Sequence, residues 1–473
     1  MHRLHSYILL FLLLPLSCNQ LNRDKLLSPD VTFDLEDIQK RGYLNALVDN
    51  NSLSYFIYKG RPMGYEYELL NLMAKELKVD LKIKVISGVE NAIEQLNSGE
   101  GDILAFPLTI TKERTQYVNF SQPLFNSYQV LVQRKPENWR SLTHEQSEKK
   151  LIRNAADLIG KEVHVIKSSS FSERLKNLSE EVGGDIIIRE DSADAESESL
   201  IKQVVQGEID FTVADHPIAV VNAAYYPNID VGTILSLPQQ IAWGARKNSP
   251  QLLGAINNWL AKIKKEPTFM VIYNRYFKSP RTSLLRIKSD YSSIGGDKIS
   301  PYDDLIKKGS EKLGWDWRLL AAVIYQESKF KNKDESWAGA RGLMQLMPET
   351  ARQFGATNPD DPKQSIRAGV NYLKYLDAYW AKTVQNQDER LKFVLASYNA
   401  GLSHVVDARE LTGKYQKNPT VWEDVEFFLQ QKSNPEYYRD PVVVAGYCKC
   451  EEPVNYVKDV LERYEEYKLH IGG

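Results

Sequence analysis

The periodicity of the chain changes character once, and that change limits the folds open to it. From Leu35 to about Phe277 short β-rich runs alternate with helical stretches, whereas after residue 300 the apolar periodicity is helical throughout. The first pattern marks layered α/β architecture and the second a helix-on-helix core, so two units of different class are expected. The 473 residues also exceed what one hydrophobic core usually organises.

Within the α/β part, Leu69, Leu70, Met73 and Leu77 give Tyr65 to Leu77 a helical spacing, and Leu81 to Ile86 alternates as a strand. A helix over Val89 to Leu96 stops at Asn97-Ser98-Gly99 before the apolar strand Ile103 to Phe106. A comparable series follows Gly160: strand Glu162 to Ile166, helix Phe171 to Leu178, strand Asp185 to Ile188, helix Ser197 to Gln206, strand Phe211 to Ala214. Two lobes are therefore expected, lobe 1 over about 35–132 and 238–277 and lobe 2 over about 137–237, with polar Gln133 to Arg153 as the crossover. Residues 278–299, with Pro280, Gly295 and Gly296 among basic and Ser residues, read as a linker to an all-helical unit over 300–473. Its expected helices include Trp317 to Phe330, Pro348 to Phe354, Pro435 to Tyr447 and Pro453 to Tyr467.

The N-terminus is a separate case. His2, Arg3 and His5 precede the apolar run Tyr7 to Leu14 and then Pro15-Leu16-Ser17-Cys18, which reads as a signal peptide over 1–18, with 19–34 as a tether. The run is too short for a permanent span, which needs about 20 residues. Cys18 after a small residue resembles a bacterial lipobox, although Pro15 stands where that pattern has leucine. The resemblance implies acylation of Cys18 and a lipid anchor on the periplasmic side, most simply in the outer membrane. The balance of 60 basic against 62 acidic residues carries no nucleic-acid footprint, and no nucleic-acid partner is expected. Cys448 and Cys450 make only half of a zinc site. A disulfide between them would close a very small ring, so they are expected as unpaired thiols, with no metal and no cofactor.

One carboxyl in the helical part sits where chemistry can use it. Leu320, Val323 and Ile324 mark the core face of the helix from Trp317, and Glu327 lies three and four residues beyond the last two. A carboxyl on that stripe is partly desolvated, which keeps it protonated near neutrality as a general acid requires. Asp334, Glu335 and Glu349 are the nearby alternatives for a second acid, and all three sit in polar loop or helix-start contexts.

Four segments follow in order: Glu327-Ser-Lys-Phe330 with Ser336 after it, Gly342-Leu-Met-Gln-Leu-Met-Pro348, Ala396-Ser-Tyr-Asn-Ala-Gly401, and Glu452-Pro-Val-Asn-Tyr-Val457. Together they resemble the soluble lytic transglycosylases, which implies a lysozyme-like helical fold from about residue 300. The resemblance implies that Glu327 is the sole catalytic carboxyl. Ser336 and Gln345 would contact sugar N-acetyl and hydroxyl groups, and Met344 and Met347 would line the saccharide groove. Tyr398, followed by Asn399, and Tyr456 would belong to the site, the Tyr398 hydroxyl bonding Glu327 or the substrate. Pro453 departs from that family, which usually has Thr there.

In the α/β part, Gly64-Tyr-Glu-Tyr-Glu-Leu-Leu70, Leu96 to Asp102, Leu108 to Arg114 and Val118 to Pro123 resemble the amino-acid-binding family of periplasmic solute-binding proteins. That implies a ligand held between two lobes, with Arg114 and Thr109 on its carboxylate, Asp215 on its ammonium, and the loop of Lys167, Ser169 and Ser170 closing over it. Fusion of the two units behind a lipoprotein signal is similar to the membrane-bound lytic murein transglycosylase F family. The expected partners are peptidoglycan glycan strands, a small amino-acid or muropeptide ligand whose binding regulates cleavage, and the membrane. The alternatives are a lysozyme-type muramidase, disfavoured by the lack of a convincing second carboxylate, and a non-catalytic, wall-anchored solute receptor.

Overall fold

The computed structural model describes residues 31–471 other than 50, 193–194 and 295–297, so Cys18, the signal peptide and most of the tether lie outside the described residues. The chain divides into one unit of Met1–Phe56 and Met63–Ile287 and a second of Ile57–Pro62 and Lys288–Gly473. No helix among the described residues is long and apolar enough to cross a membrane.

The first unit contains two mixed sheets. In the first, β4 (Asp80–Val85), β1 (Tyr43–Val48) and β5 (Ile103–Thr109) run parallel, and β13 (Gln239–Ala245) returns antiparallel against β5, β6 (Asn119–Phe120) and β7 (Phe125–Ser127). In the second, β10 (Ile187–Asp191), β9 (Glu162–Ile166) and β11 (Phe211–Asp215) are parallel, and β8 (Gln129–Arg134) runs antiparallel between β11 and β12 (Ile229–Ile234). Parallel strands covered on both faces need near-continuous apolar runs, and Ile103 to Phe106 is such a run, buried throughout. The chain passes between the sheets at Tyr128, between β7 and β8. The reading that kept lobe 1 to residue 132 and placed the crossover in 133–153 is therefore corrected. Extended backbone from Phe125 to Arg134 carries no break signal, and only pairing partners distinguish its two halves.

The second unit packs around the helix Trp317–Ser328, in which every residue from Leu319 to Tyr325 is buried. The stripe read from Leu320, Val323 and Ile324 is thus part of a helix surrounded on all sides, and small Ala321 and Ala322 let neighbouring helices approach it. The expected helix Pro435 to Tyr447 closes at Tyr438 instead, because Pro441 disfavours helical backbone at Asp440. A helix Leu402–Lys414 that the sequence reading lacked starts directly after Gly401, whose φ of 90° and ψ of 140° end one helix and begin the next.

Two features depart from the expected domain plan. Pro280 opens a helix, Pro280–Ile287, inside the segment read as linker, since a first helical turn does not use the N–H that proline lacks. The hairpin of β2 (Phe56–Tyr58) and β3 (Arg61–Met63) has its tip in the helical unit. There the Gly60 carbonyl accepts from Arg463 Nη1 at 3.0 Å and from the Tyr467 hydroxyl at 3.2 Å, while the Ile57 carbonyl accepts from Ser293 N and Ile57 N donates to Ser293 Oγ, both at 3.0 Å.

The thiols also differ from expectation. Cys448 and Cys450 form a disulfide, their Cα atoms 5.1 Å apart, a separation within the range that a disulfide spans. His404 lies near both sulfurs, with its ligating nitrogen within 4.8 Å, but metal binding needs thiolates and these sulfurs are joined to each other.

Candidate active site and ligand cavity

The helix Trp317–Ser328 ends one residue after Glu327, and its two following residues, Lys329 (φ 52°) and Phe330 (φ 60°), both hold left-handed backbone. Consecutive non-glycine residues in that region cost energy and persist only where surrounding packing over-determines them. Phe330, buried against Tyr325, supplies such packing. The turn leaves Glu327 half-buried, facing an open cleft of about 1200 Å³. Burial pushes its carboxyl up to about 7, reinforced by the nearby Glu452 charge and opposed by the Tyr456 hydroxyl, which donates to Glu327 Oε1 at 2.6 Å. A group so placed is protonated in a large fraction of molecules near neutrality and can give and retake a proton.

Of the residues expected at this site, Glu327, Ser336, Gln345, Asn399 and Tyr456 all line the cleft. Gln345 adopts φ 43°, and its Nε2 donates to the carbonyls of Asp334 and Gly342, both at 2.9 Å, which leaves Oε1 to accept from a ligand. Ser336 Oγ accepts from Ala340 N at 3.0 Å and so closes its own loop. Tyr398 is buried, and its hydroxyl donates to the Met344 carbonyl at 2.7 Å instead of reaching Glu327. Met344 is fully buried against Gly369 in the core and does not line the cleft. Met347 is 46% exposed at the start of the helix Pro348–Gln353 and is likewise absent from the cleft lining. The groove-lining role expected of Met344 is corrected accordingly, because its side chain fills the core, whereas Met347 is open to solvent.

Asp334, Glu335 and Glu349, considered above as second acids, do not line the cleft either. Three carboxylates that sequence reasoning passed over do: Glu451, Glu452 and Asp459, together with Gln326, Lys449 and Asn455. The signal was present. On the helix Glu451–His470, residues 452, 455, 456 and 459 recur at helical spacing and form one polar face. Gln326 Nε2 donates to Asp459 Oδ2 at 3.1 Å across to that face.

In the first unit, Thr109, Arg114, Lys167, Ser169, Ser170 and Asp215 all line one cavity of about 830 Å³. Arg114 Nη1 donates to the Thr109 carbonyl at 3.1 Å, which aims the guanidinium. Ser169 caps the helix Ser170–Val182 by accepting from Ser172 N, and Ser170 Oγ accepts from Gln129 Nε2 at 3.2 Å. Asp215 stands at the cap position of the helix His216–Tyr225, yet its side chain makes no capping bond. Burial raises it to about 7 against the opposing pull of Arg114. An adjoining cavity of about 320 Å³ shares Asp215 and adds Glu66, which is 1% exposed, pushed by burial up to about 8, and has an Oε2 without a hydrogen-bond partner. Glu66 lies in the Gly64 to Leu70 run, where nothing local distinguishes it from Glu68, which pairs with Arg275.

Two family models match the chain: bacterial extracellular solute-binding proteins, family 3, over residues 44–279, and the transglycosylase SLT domain over residues 304–421. Similar solved structures include a mutant arginine-binding protein of T. maritima (TM-score 0.43, 25% identity, 52% of this chain and 99% of that one) and an ancestral arginine-binding protein bound to arginine (TM-score 0.42, 25% identity, 50% and 99%). Along the whole chain, a membrane-bound lytic murein transglycosylase F from Desulfosudis oleivorans is 35% identical over 433 residues, 91% of each protein. One from Pseudomonas fluorescens is 32% identical over 435 residues, 91% of this chain and 86% of the relative. Identity of this extent across both units shows that the chain belongs to the membrane-bound lytic murein transglycosylase F family.

Proposed function

We propose that the chain is a peptidoglycan lytic transglycosylase whose single acid and base is Glu327. The observation that carries this reading is the half-buried Glu327 carboxyl, raised to about 7 and bonded by Tyr456 in a cleft wide enough for sugars. Protonated Glu327 gives its proton to the glycosidic oxygen between N-acetylmuramic acid and N-acetylglucosamine. As carboxylate it then takes the proton of the C6 hydroxyl on the same muramoyl sugar, and that oxygen attacks C1. The bond to the leaving sugar breaks, a 1,6-anhydro ring forms, and no water enters. An intramolecular nucleophile of this kind has a large effective concentration. Gln345, Ser336 and Asn399 supply polar contacts to the sugars. Replacement of Glu327 by Gln retains shape and removes the titrating proton, so turnover falls by orders of magnitude with the fold retained. Residual turnover above about a tenth of wild type would refute the assignment.

A muramidase reading keeps one observation in its favour: Glu451, Glu452 and Asp459 share the cleft with Glu327, and hydrolytic glycosidases work with paired carboxylates. The products decide between the two. The first unit, by its half-buried Arg114 and Asp215 in one cavity, binds a small zwitterionic ligand of amino-acid or muropeptide type, and that binding adjusts cleavage. The chain works in the cell envelope, held to the outer membrane through acylated Cys18. The Cys448–Cys450 disulfide fits an oxidising compartment outside the cytoplasm.

A further inference from the structure

The Cys448-Lys449-Cys450 motif has no part in the chemistry above, yet it stands at the wall of the cleft. Lys449 is the one basic side chain among the described residues lining that cleft, which otherwise presents the carboxyls of Glu327, Glu451, Glu452 and Asp459. The glycan substrate is itself anionic. Each muramoyl sugar carries a lactyl carboxyl that is free or extended by a peptide with carboxylates of its own. Such a strand meets four acids in the cleft, and an opposing charge beside them is needed to hold a carboxylate there.

The backbone under Lys449 is fixed on both sides. Cys450 is fully buried and stands at the position just before the helix Glu451–His470, the helix that presents Glu452, Asn455, Tyr456 and Asp459. Cys448 N donates to the Lys432 carbonyl at 3.2 Å. Lys432 is buried, and its Nζ donates to Asp407 Oδ2 at 2.6 Å, while Asp407 also accepts from Val444 N and Ala445 N at 2.9 Å. The disulfide closes this frame around Lys449 alone. A loop so short adds far less global stability than a long one, so its effect is local: it limits the conformations of the one residue it encloses.

We propose that Lys449, presented by the Cys448–Cys450 ring, is a substrate-specificity residue that binds a carboxylate of the glycan strand in the cleft. The inference rests on the transglycosylase reading above. It is tested by steady-state cleavage of three substrates: peptide-bearing strands, strands stripped of peptide so that the lactyl carboxylates are free, and the stripped strands with those carboxyls converted to methylamides. Lys449→Ala raises KM about three- to tenfold on a carboxylate-bearing substrate with kcat within about twofold, Lys449→Arg restores KM, and the difference vanishes on the methylamide strands. A rise on stripped strands identifies the lactyl carboxylate, and a rise confined to peptide-bearing strands identifies a peptide carboxylate. The paired Cys448→Ser, Cys450→Ser variant, or wild type treated with a phosphine reductant, shows the same KM rise, and none further in the Lys449→Ala background. An unchanged KM in Lys449→Ala on both carboxylate substrates, or an equal rise on the methylamide strands, overturns the proposal while wild-type cleavage keeps the transglycosylase reading intact. A KM indifferent to loss of the disulfide overturns the role of the ring. Absence of wild-type cleavage on every substrate overturns both readings together.

Discussion

Replacement of Tyr456 by Phe has an effect on the pH profile that follows from one hydrogen bond. The hydroxyl donates to Glu327 Oε1 at 2.6 Å and stabilises the carboxylate more than the neutral acid, so it holds the carboxyl down against burial. A hydrogen bond to a charged group is worth about 1.5–3 kcal/mol, and the neutral acid retains part of it. The difference of about 1.4 kcal/mol corresponds to roughly one pKa unit. The alkaline limb of kcat/KM, which reports protonated Glu327 in the free enzyme, should therefore move from about 7 to roughly one unit higher in Tyr456→Phe. Glu452→Gln removes a like charge and should move the same limb the other way. The assay is the pH dependence of cleavage of soluble glycan strands by wild type and both variants. A limb that stays in place or moves acidward in Tyr456→Phe would refute the account of how Glu327 is tuned.

Three further outcomes are expected. Folded Glu327 keeps its proton to about pH 7 while the unfolded group releases it near 4.5, so the folded state is stabilised at low pH and loses that contribution as pH rises through this window. Glu327→Gln should then stabilise the helical unit by about 1–3 kcal/mol at pH 8, after allowance for the cleft-facing side, and hardly at all below pH 4.5, as thermal denaturation at the two pH values would show. In calorimetry with amino acids and soluble muropeptides, Arg114→Ala should abolish the heat that wild type gives, and equal heats would remove Arg114 from the ligand site. Growth with labelled palmitate should mark the wild type and leave Cys18→Ala unlabelled, whereas label persisting in that variant would exclude the lipobox.

Much of the architecture was legible because it is written in local periods. The helices Tyr65–Leu77 and Ser197–Gln206 and the strand Glu162–Ile166 have the bounds that their apolar spacing gives. What escaped depends on distant partners. Tyr128 separates two strands of one extended run, and only pairing with β13 or β11 tells them apart. The hairpin tip Ile57–Pro62 meets Arg463 and Tyr467 across some four hundred residues of sequence. The left-handed turns at Lys329, Phe330 and Gln345 shape the cleft, yet no glycine or asparagine announces them. Glu327 was legible from its place on an apolar stripe, whereas Met344 was not, since its burial against Gly369 depends on a helix that meets it only in the fold.

In the proposed reaction the attacking oxygen belongs to the substrate, and the products keep a record of its origin. Purified sacculi digested by wild-type protein in water enriched in heavy oxygen, with the released ends identified by mass spectrometry, should yield 1,6-anhydro-N-acetylmuramic acid ends free of the label. Reducing muramoyl ends that carry heavy oxygen would contradict the account and establish a hydrolase acting with a second carboxylate of the same cleft.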